Sequence, residues 1–191
     1  MLFRSMGEIR FRQIEEDDLE LMQKLFNDEE SNEYTTGWSF PVSLLKQREW
    51  FKNIINDSST FRYIIENNEG ESVGLGMMGK FDMTSRTAEA SGLKLLPEFR
   101  SRGYMKSSCN LMLEIAFAEL NMEMVTAVCH GGYDKVTASL KKMGFTLDGT
   151  LRKRLYKAGE YHALNHFSIT RDEYIRYVTV KRLESHIFGK N

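Results

Sequence analysis

Between Tyr104 and Leu120 the apolar side chains of Met105, Cys109, Leu111, Met112, Leu113, Ile115, Phe117 and Leu120 fall on nearly every side of a helix drawn through them. A helix with so little polar surface is central and buried, and the natural cover for it is a sheet. The flanking sequence supplies the strands. Ile9 to Ile14 alternates apolar and polar residues, Phe61 to Glu66 and Ser72 to Phe81 flank the turn-forming stretch Asn67 to Glu71, and Ala88 to Leu96 runs up to Pro97. Met124 to Cys129 is a short apolar strand, and Thr146 to Leu155 and Tyr161 to Ile169 form a pair around Ala158-Gly159.

Four further helices complete the pattern. One follows the acidic run Glu15 to Asp18 and carries Leu19, Met22, Leu25 and Phe26; the carboxylates suit the positive end of its dipole. A second starts near Ser43 with Leu45, Phe51, Ile54 and Ile55. A third carries Val136, Leu140 and Met143 and ends at Gly144, and a closing helix spans about 172–188. The order β-α-α-β-β-β-α-β-α-β-β-α is a mixed α/β arrangement, with hairpins on one side and crossovers on the other. No repeat or Pro/Gly-rich linker divides the chain, so a single domain over 1–191 is expected.

Composition narrows the function classes. With 41% hydrophobic and 28% charged residues the chain has the balance of a globular protein. Its formal net charge of −1 sets up no field toward nucleic acid or an anionic membrane, and neither is expected as a partner. No apolar run approaches the roughly 20 residues that span a bilayer, and Met1 to Gly7 has no apolar core of a leader. Cys109 and Cys129 lack metal-type spacing and fit small apolar packing in a reducing compartment, so a cytoplasmic location is expected.

The segment that carries chemistry is Leu95-Leu96-Pro97-Glu98-Phe99-Arg100-Ser101-Arg102-Gly103-Tyr104-Met105-Lys106. A strand ends, a short loop follows, and the buried helix begins. The first turn of that helix leaves N–H groups without intrahelical acceptors and carries partial positive charge. Gly103 lets the backbone approach an anion, and Arg100 and Arg102 add charge, so the loop suits a pyrophosphate. A helix entry with a glycine and two solvated arginines is the plainer alternative. Gly103-x-x-Lys106-Ser107 echoes the end of a P-loop but lacks its spacing, because the glycine does not directly precede the lysine.

The stretch LLPEFRSRGYM resembles the acetyl-CoA-binding motif of the GNAT superfamily, Arg/Gln-x-x-Gly-x-Gly/Ala after the fourth strand, with Arg100, Gly103 and Met105 at the signature positions. Met105 departs from the pattern. Ile9-Arg10-Phe11-Arg12 before an acidic helix start, and Lys142-Met143-Gly144-Phe145 followed by Gly149 and Arg152, are similar to the branch that includes ribosomal-protein alanine acetyltransferases. The likeness covers about residues 9 to 175. Three further positions depart: Tyr133 and Val136 stand where that branch has Asn-x-x-Ser, and Leu140 stands where many relatives have an acid tyrosine.

The resemblance implies a mixed, mostly antiparallel central sheet splayed between its fourth and fifth strands and flanked by helices. It also implies transfer of an acetyl group from acetyl-CoA to a primary amine by direct attack, without a metal. Leu95, Leu96, Arg100, Ser101, Arg102, Gly103, Tyr104, Met105 and Lys106 would hold the cofactor, and backbone around Leu93 to Leu96 would supply oxyanion donors. The amine must lose a proton before it attacks. Glu89 is the candidate base, through a water, with a solvated strand glutamate as the alternative. Tyr133 and Ser139 are candidate acids or positioning groups, and His130 is a second candidate base. His162 and His166 share a strand face but no cysteine or carboxylate completes a metal site. Tyr34, Trp38, Phe40 and Trp50 either line the acceptor groove or belong to the core.

The acceptor stays open among a protein N-terminus, an amino sugar and a small amine, and a homodimer is compatible with the family. Two other classes remain beside the enzyme: a non-catalytic acyl-CoA-binding or partner-binding domain on the same fold, and an interaction module whose arginine loop binds no cofactor.

Overall fold

The computed structural model describes residues 4–37 and 40–187, with the side chains of 4–6, 34 and 185–187 left out. The chain runs β1 (Arg4–Met6), β2 (Ile9–Gln13), a 3-10 turn (Glu16–Asp18), α1 (Leu19–Phe26), α2 (Glu29–Tyr34), α3 (Leu44–Ile54), β3 (Thr60–Asn67), β4 (Ser72–Asp82) and β5 (Thr87–Leu95). It continues through α4 (Tyr104–Glu114) with a π-helical turn (Ile115–Glu119), β6 (Met124–His130), α5 (Asp134–Lys142), β7 (Thr146–Lys157), β8 (Glu160–Thr170) and α6 (Arg171–Ile187). The sequence pattern is met with two additions, β1 and α2.

Eight strands form one sheet in the order β1-β2-β3-β4-β5-β6-β8-β7. All neighbours are antiparallel except β5 and β6. That parallel pair is short: Thr87 faces Met124, Ala88 faces Val125 and Glu89 faces Thr126, and no later residue of β5 pairs with β6. With β1 left out, these are the fourth and fifth strands expected from the sequence, and the sheet splays between them as the resemblance implies.

One core lies under α4, where Leu111, Met112, Leu113, Ala116 and Phe117 meet Ile65, Val73, Val125, Phe167 and Ile169. The opposite face carries a smaller layer in which Leu19, Met22 and Leu25 of α1 pack on Ile64, Leu75 and Leu96, with Leu44, Trp50 and Phe51 of α3 against them. Each fully buried aliphatic or methionine side chain here contributes roughly 1.5–3 kcal/mol of transfer free energy. The α3 face differs from the expected one. Ser43 caps the helix through Lys46 N–H as anticipated, but Leu45 is 66% and Ile55 65% exposed, and the buried line runs through Leu44, Gln47 and Phe51.

Asp18 serves the helix start as expected, accepting Glu15 N–H at 2.8 Å, and it is also buried. It receives both Arg12 guanidinium nitrogens at 2.6 Å, while Arg12 Nε donates to Glu66 at 2.8 Å. Burial pushes Glu66 up, but hydrogen bonds from Arg12 and Arg10 more than reverse this and hold it below the ordinary range. Cys109 and Cys129 are free thiols raised by burial, Cys109 to about 12.

Candidate functional site

The site begins with one extra residue in β5. Leu75 pairs with Lys94 and Met77 with Ser91, so two steps on β4 match three on β5. Gly92 takes up the difference at φ +60, in a place where a Cβ would lie 2.0 Å from Met77 Cε. A bulge reverses side-chain parity. Before it, Ala88 and Ala90 face the α4 core; after it, Leu93 and Leu95 do, and Lys94 and Leu96 turn to the α1–α3 layer. Beyond Glu89, where this irregularity lies, β5 and β6 no longer pair, and a V opens between the two strands.

Glu89 stands at the apex of this V, in the last paired step, on the face opposite Ala88 and Ala90. Its carboxylate receives Lys80 Nζ at 2.8 Å and is largely covered, whereas Lys80 is exposed. Glu89 therefore points away from the α4 layer.

At the far end of β5, Leu96 N–H donates to Val73 O, Pro97–Phe99 makes a 3-10 turn, and the chain swings through Ser101 at φ +63 into α4. Gly103 is the N-cap at φ +86 with no side-chain cap, and the first backbone bond of the helix runs from Ser107 N–H to Gly103 O. The N–H groups of Tyr104, Met105 and Lys106 therefore have no acceptor within the helix. A Cβ at Gly103 would meet nothing within 4 Å, so the space over this turn is open. Met105 and Lys106 face outward, and Tyr104 tucks its ring beside Phe99 at 6.4 Å.

The two arginines have different surroundings. Arg102 is exposed, with its guanidinium 5.3 Å from the Phe99 ring. Arg100 turns inward to α2: it donates to Glu30 at 2.6 Å, to Ser31 Oγ at 2.9 Å, to Asp28 and, through Nε, to Leu95 O at 3.3 Å. Its charge is already matched by carboxylates, so the loop's offer to an anion is its row of N–H groups together with Arg102 and Lys106.

Across the V, His130 ends β6 and is buried. Its Nδ1 accepts from Gly132 N–H at 3.1 Å, which leaves the ring proton of the neutral form on Nε2. Burial, then His162 and Lys157, lower its pKa against the opposing pull of Glu33, so the ring is neutral near pH 7 and presents a donor rather than a base. His162 lies against it, ring centres 4.5 Å apart. Tyr133 follows as the N-cap of α5, half-buried, its N–H on His130 O. Ser139 is exposed farther along α5, and Leu140 is in the core. The same helix sends Thr137 Oγ1 to within 3.7 Å of Cys129 Sγ.

His166 lies in β8 between Val128 of β6 and Gly149 of β7, with its Nε2 buried and without a hydrogen-bond partner among the described residues. No group of three metal-binding side chains occurs among the described residues. Of the aromatic set, Trp50 packs in the α1–α3 layer, Phe40 is 65% exposed, and Trp38 lies outside the described residues, as does Phe188 at the expected end of the closing helix. Lys94 and Lys157, which the sequence reading passed over, come together here. Both are buried at the junction of β5, α2 and the β7–β8 hairpin, and both bind Asn32.

Comparison with known proteins agrees with this fold. Residues 8–146 match the Acetyltransferase (GNAT) domain family. The chain is 25% identical over 167 residues to the SPbeta prophage-derived uncharacterized N-acetyltransferase YokL of Bacillus subtilis (strain 168), covering 87% of this chain and 92% of that one. It is 22% identical to spermidine N(1)-acetyltransferase of Escherichia coli (strain K12), covering 87% and 88%. A similar solved structure is spermidine N-acetyltransferase from Vibrio cholerae in complex with CoA and spermine, with TM-score 0.82, 21% identity, and 88% and 98% of the two chains covered.

Proposed function

Since this chain belongs to the GNAT acetyltransferase family and is an acetyl-CoA-dependent enzyme that acetylates an amine, we propose the following placement of its substrates and roles for its residues. The pyrophosphate of acetyl-CoA lies over Ser101 to Lys106, held by the N–H groups that open α4. The pantetheine arm runs along the β5 edge beyond Glu89, where β6 has left, and pairs with backbone as an added strand would. The observation that carries this reading is the pairing of β5 with β6 for three residues and no further, followed by an uncapped left-handed entry to α4.

The acceptor amine enters the V from the α1–α3 side. Glu89 takes its proton through a water, and the ion pair with Lys80 at 2.8 Å holds the carboxylate in place. Backbone N–H groups within Leu93 to Leu95 receive the charge that develops on the carbonyl oxygen, Leu96 N–H being already bonded to Val73 O. Tyr133, beside the end of β6, donates to the departing thiolate; Ser139 lies too far along an exposed face to share the task. His130, with Nε2–H as donor, positions the acceptor. Holding both substrates in one cleft supplies a large part of the acceleration without a covalent intermediate.

The relatives that act on spermidine make aliphatic primary amines the first acceptors to try. A single domain, and a cytoplasmic location consistent with two free thiols, belong to the same proposal. No helix among the described residues is long and apolar enough to cross a membrane.

The test is calorimetric titration with acetyl-CoA, with ATP and NAD as controls, followed by thiol release across an amine panel. Selective micromolar binding and amine-dependent thiol release are expected. Equal affinity for ATP, or binding unaffected by substitution in 101–106, overturns the placement of the pyrophosphate.

A further inference from the structure

Two buried ammonium groups stand at the wide end of the V with no task in acetyl transfer. Lys94 follows the β5 bulge, and Lys157 ends β7; each is 8% exposed. They converge on Asn32 of α2. Lys94 Nζ donates to Asn32 Oδ1 at 3.0 Å, and Lys157 Nζ donates to Asn32 O. Asn32 Nδ2 donates to Phe26 O at 2.6 Å, which fixes the orientation of the amide.

Their other partners are weak and uncharged. Lys94 reaches Leu25 O at 3.4 Å and lies 5.7 Å from the Phe26 ring; Lys157 reaches Thr35 Oγ1 at 3.4 Å. The carboxylate nearest in kind, Asp28, is bound by Arg100, and Glu33 is exposed. Among the described residues, neither lysine makes an ion pair. A buried ammonium without a counter-charge is costly, and a mere tie between α2 and the sheet could be made by neutral side chains at no such cost.

An ammonium has three N–H groups. Each lysine spends two on the partners just named and has one left, so the pair offers two N–H donors and two positive charges, which match the two oxygens of one carboxylate. Burial lowers both lysines below the usual range, against Asp28 for Lys94 and Glu33 for Lys157, as expected of charges that await a partner. Beside them lie His130 and His162, at the strand ends that border the acceptor side of the V.

We propose that Lys94 and Lys157 form a carboxylate-binding subsite, so that the acceptor is an amine that carries a carboxylate group rather than a polyamine. The inference rests on the entry of the acceptor from the α1–α3 side. It fixes the substrate class by charge: a second ammonium on the acceptor would meet two more at this position, whereas a carboxylate relieves both.

The experiment compares kcat/KM for matched acceptors of several chain lengths, namely amino acids such as β-alanine and 4-aminobutyrate, their amides, and the diamines of equal length. The carboxylate member of at least one set should exceed its amide by about tenfold or more, the effect of a charge-assisted hydrogen bond. Lys94→Met and Lys157→Met should each bring that ratio toward one, and Lys157→Arg should keep it. A purely structural role would slow both members alike and leave the ratio unmoved. Amides or diamines that match or exceed the carboxylates in the wild-type protein overturn the subsite, and this arm needs no variant to fold. A carboxylate preference that survives both substitutions overturns it too. If Glu89→Gln and both lysine variants leave every acceptor unaffected, the entry route itself fails, and the subsite with it.

Discussion

Gly103 and Glu89 carry the most separable tests of the proposed chemistry. At φ +86 a valine at position 103 is strained by roughly 1–2 kcal/mol. Its side chain would project into open space rather than into protein. Gly103→Val should therefore fold, with Tm lowered by several degrees, yet lose acetyl-CoA affinity by about tenfold or more because the pyrophosphate can no longer reach the N–H groups. Calorimetric titration and a thermal melt separate the two effects; a folded variant with unchanged affinity would move the pyrophosphate elsewhere. Glu89→Gln keeps size and loses the base. Since Lys80 is exposed, breaking that ion pair costs at most about 1 kcal/mol. Turnover should fall by roughly 10²-fold, with acetyl-CoA binding unaltered and the acidic limb of the pH–rate profile gone. A profile that keeps that limb assigns the base to another group.

At the scale of elements, Arg100 joins α2 to the cofactor loop. Its guanidinium binds Asp28, Glu30 and Ser31, while Asp28 caps α2 by accepting Ser31 N–H at 2.9 Å. Arg100→Met should release α2, at a cost of about 1–3 kcal/mol for the partly buried carboxylate left behind. The acceptor KM should rise, while acetyl-CoA affinity changes by less than about threefold, under 1 kcal/mol. If Arg100 instead held the pyrophosphate directly, affinity would drop at least tenfold. The same element shows where sequence legibility ends. The buried helix 104–120, both hairpins and the Arg100–Gly103 loop announce themselves by periodicity and turn chemistry. The α2 segment Glu29–Tyr34 does not, because it has almost no apolar residue and is held by an Asp28 cap and a distant arginine. Gly92 does carry a signal, since a glycine inside a strand often marks a bulge. The residue type alone does not show that an extra residue there decides which way Lys94 points. For Arg100, residue type suggested a phosphate ligand, and only the packing of α2 reveals its carboxylate partners.

At the scale of the whole molecule, the buried ammonium of Lys94 ties stability to pH. Burial brings its pKa from 10.5 to about 8; Asp28 opposes the shift, while Lys157 and Arg100 add to it. Between these values the unfolded chain keeps a proton that the folded chain has shed, so stability rises with pH across the window, and below about pH 8 the fold carries the full cost of the charge. Lys94→Met removes this dependence. The difference in unfolding free energy, wild type minus variant, should therefore grow by on the order of 3 kcal/mol between pH 7.5 and pH 10.5. Urea denaturation at the two pH values measures it, and a difference independent of pH would mean that the ammonium is adequately solvated where it lies. A carboxylate placed between Lys94 and Lys157 would restore the charged state. The wild-type protein should then take up protons when the right acceptor binds above pH 8, and the Lys94→Met variant should take up fewer, a change that calorimetry in buffers of different ionisation enthalpy reads directly.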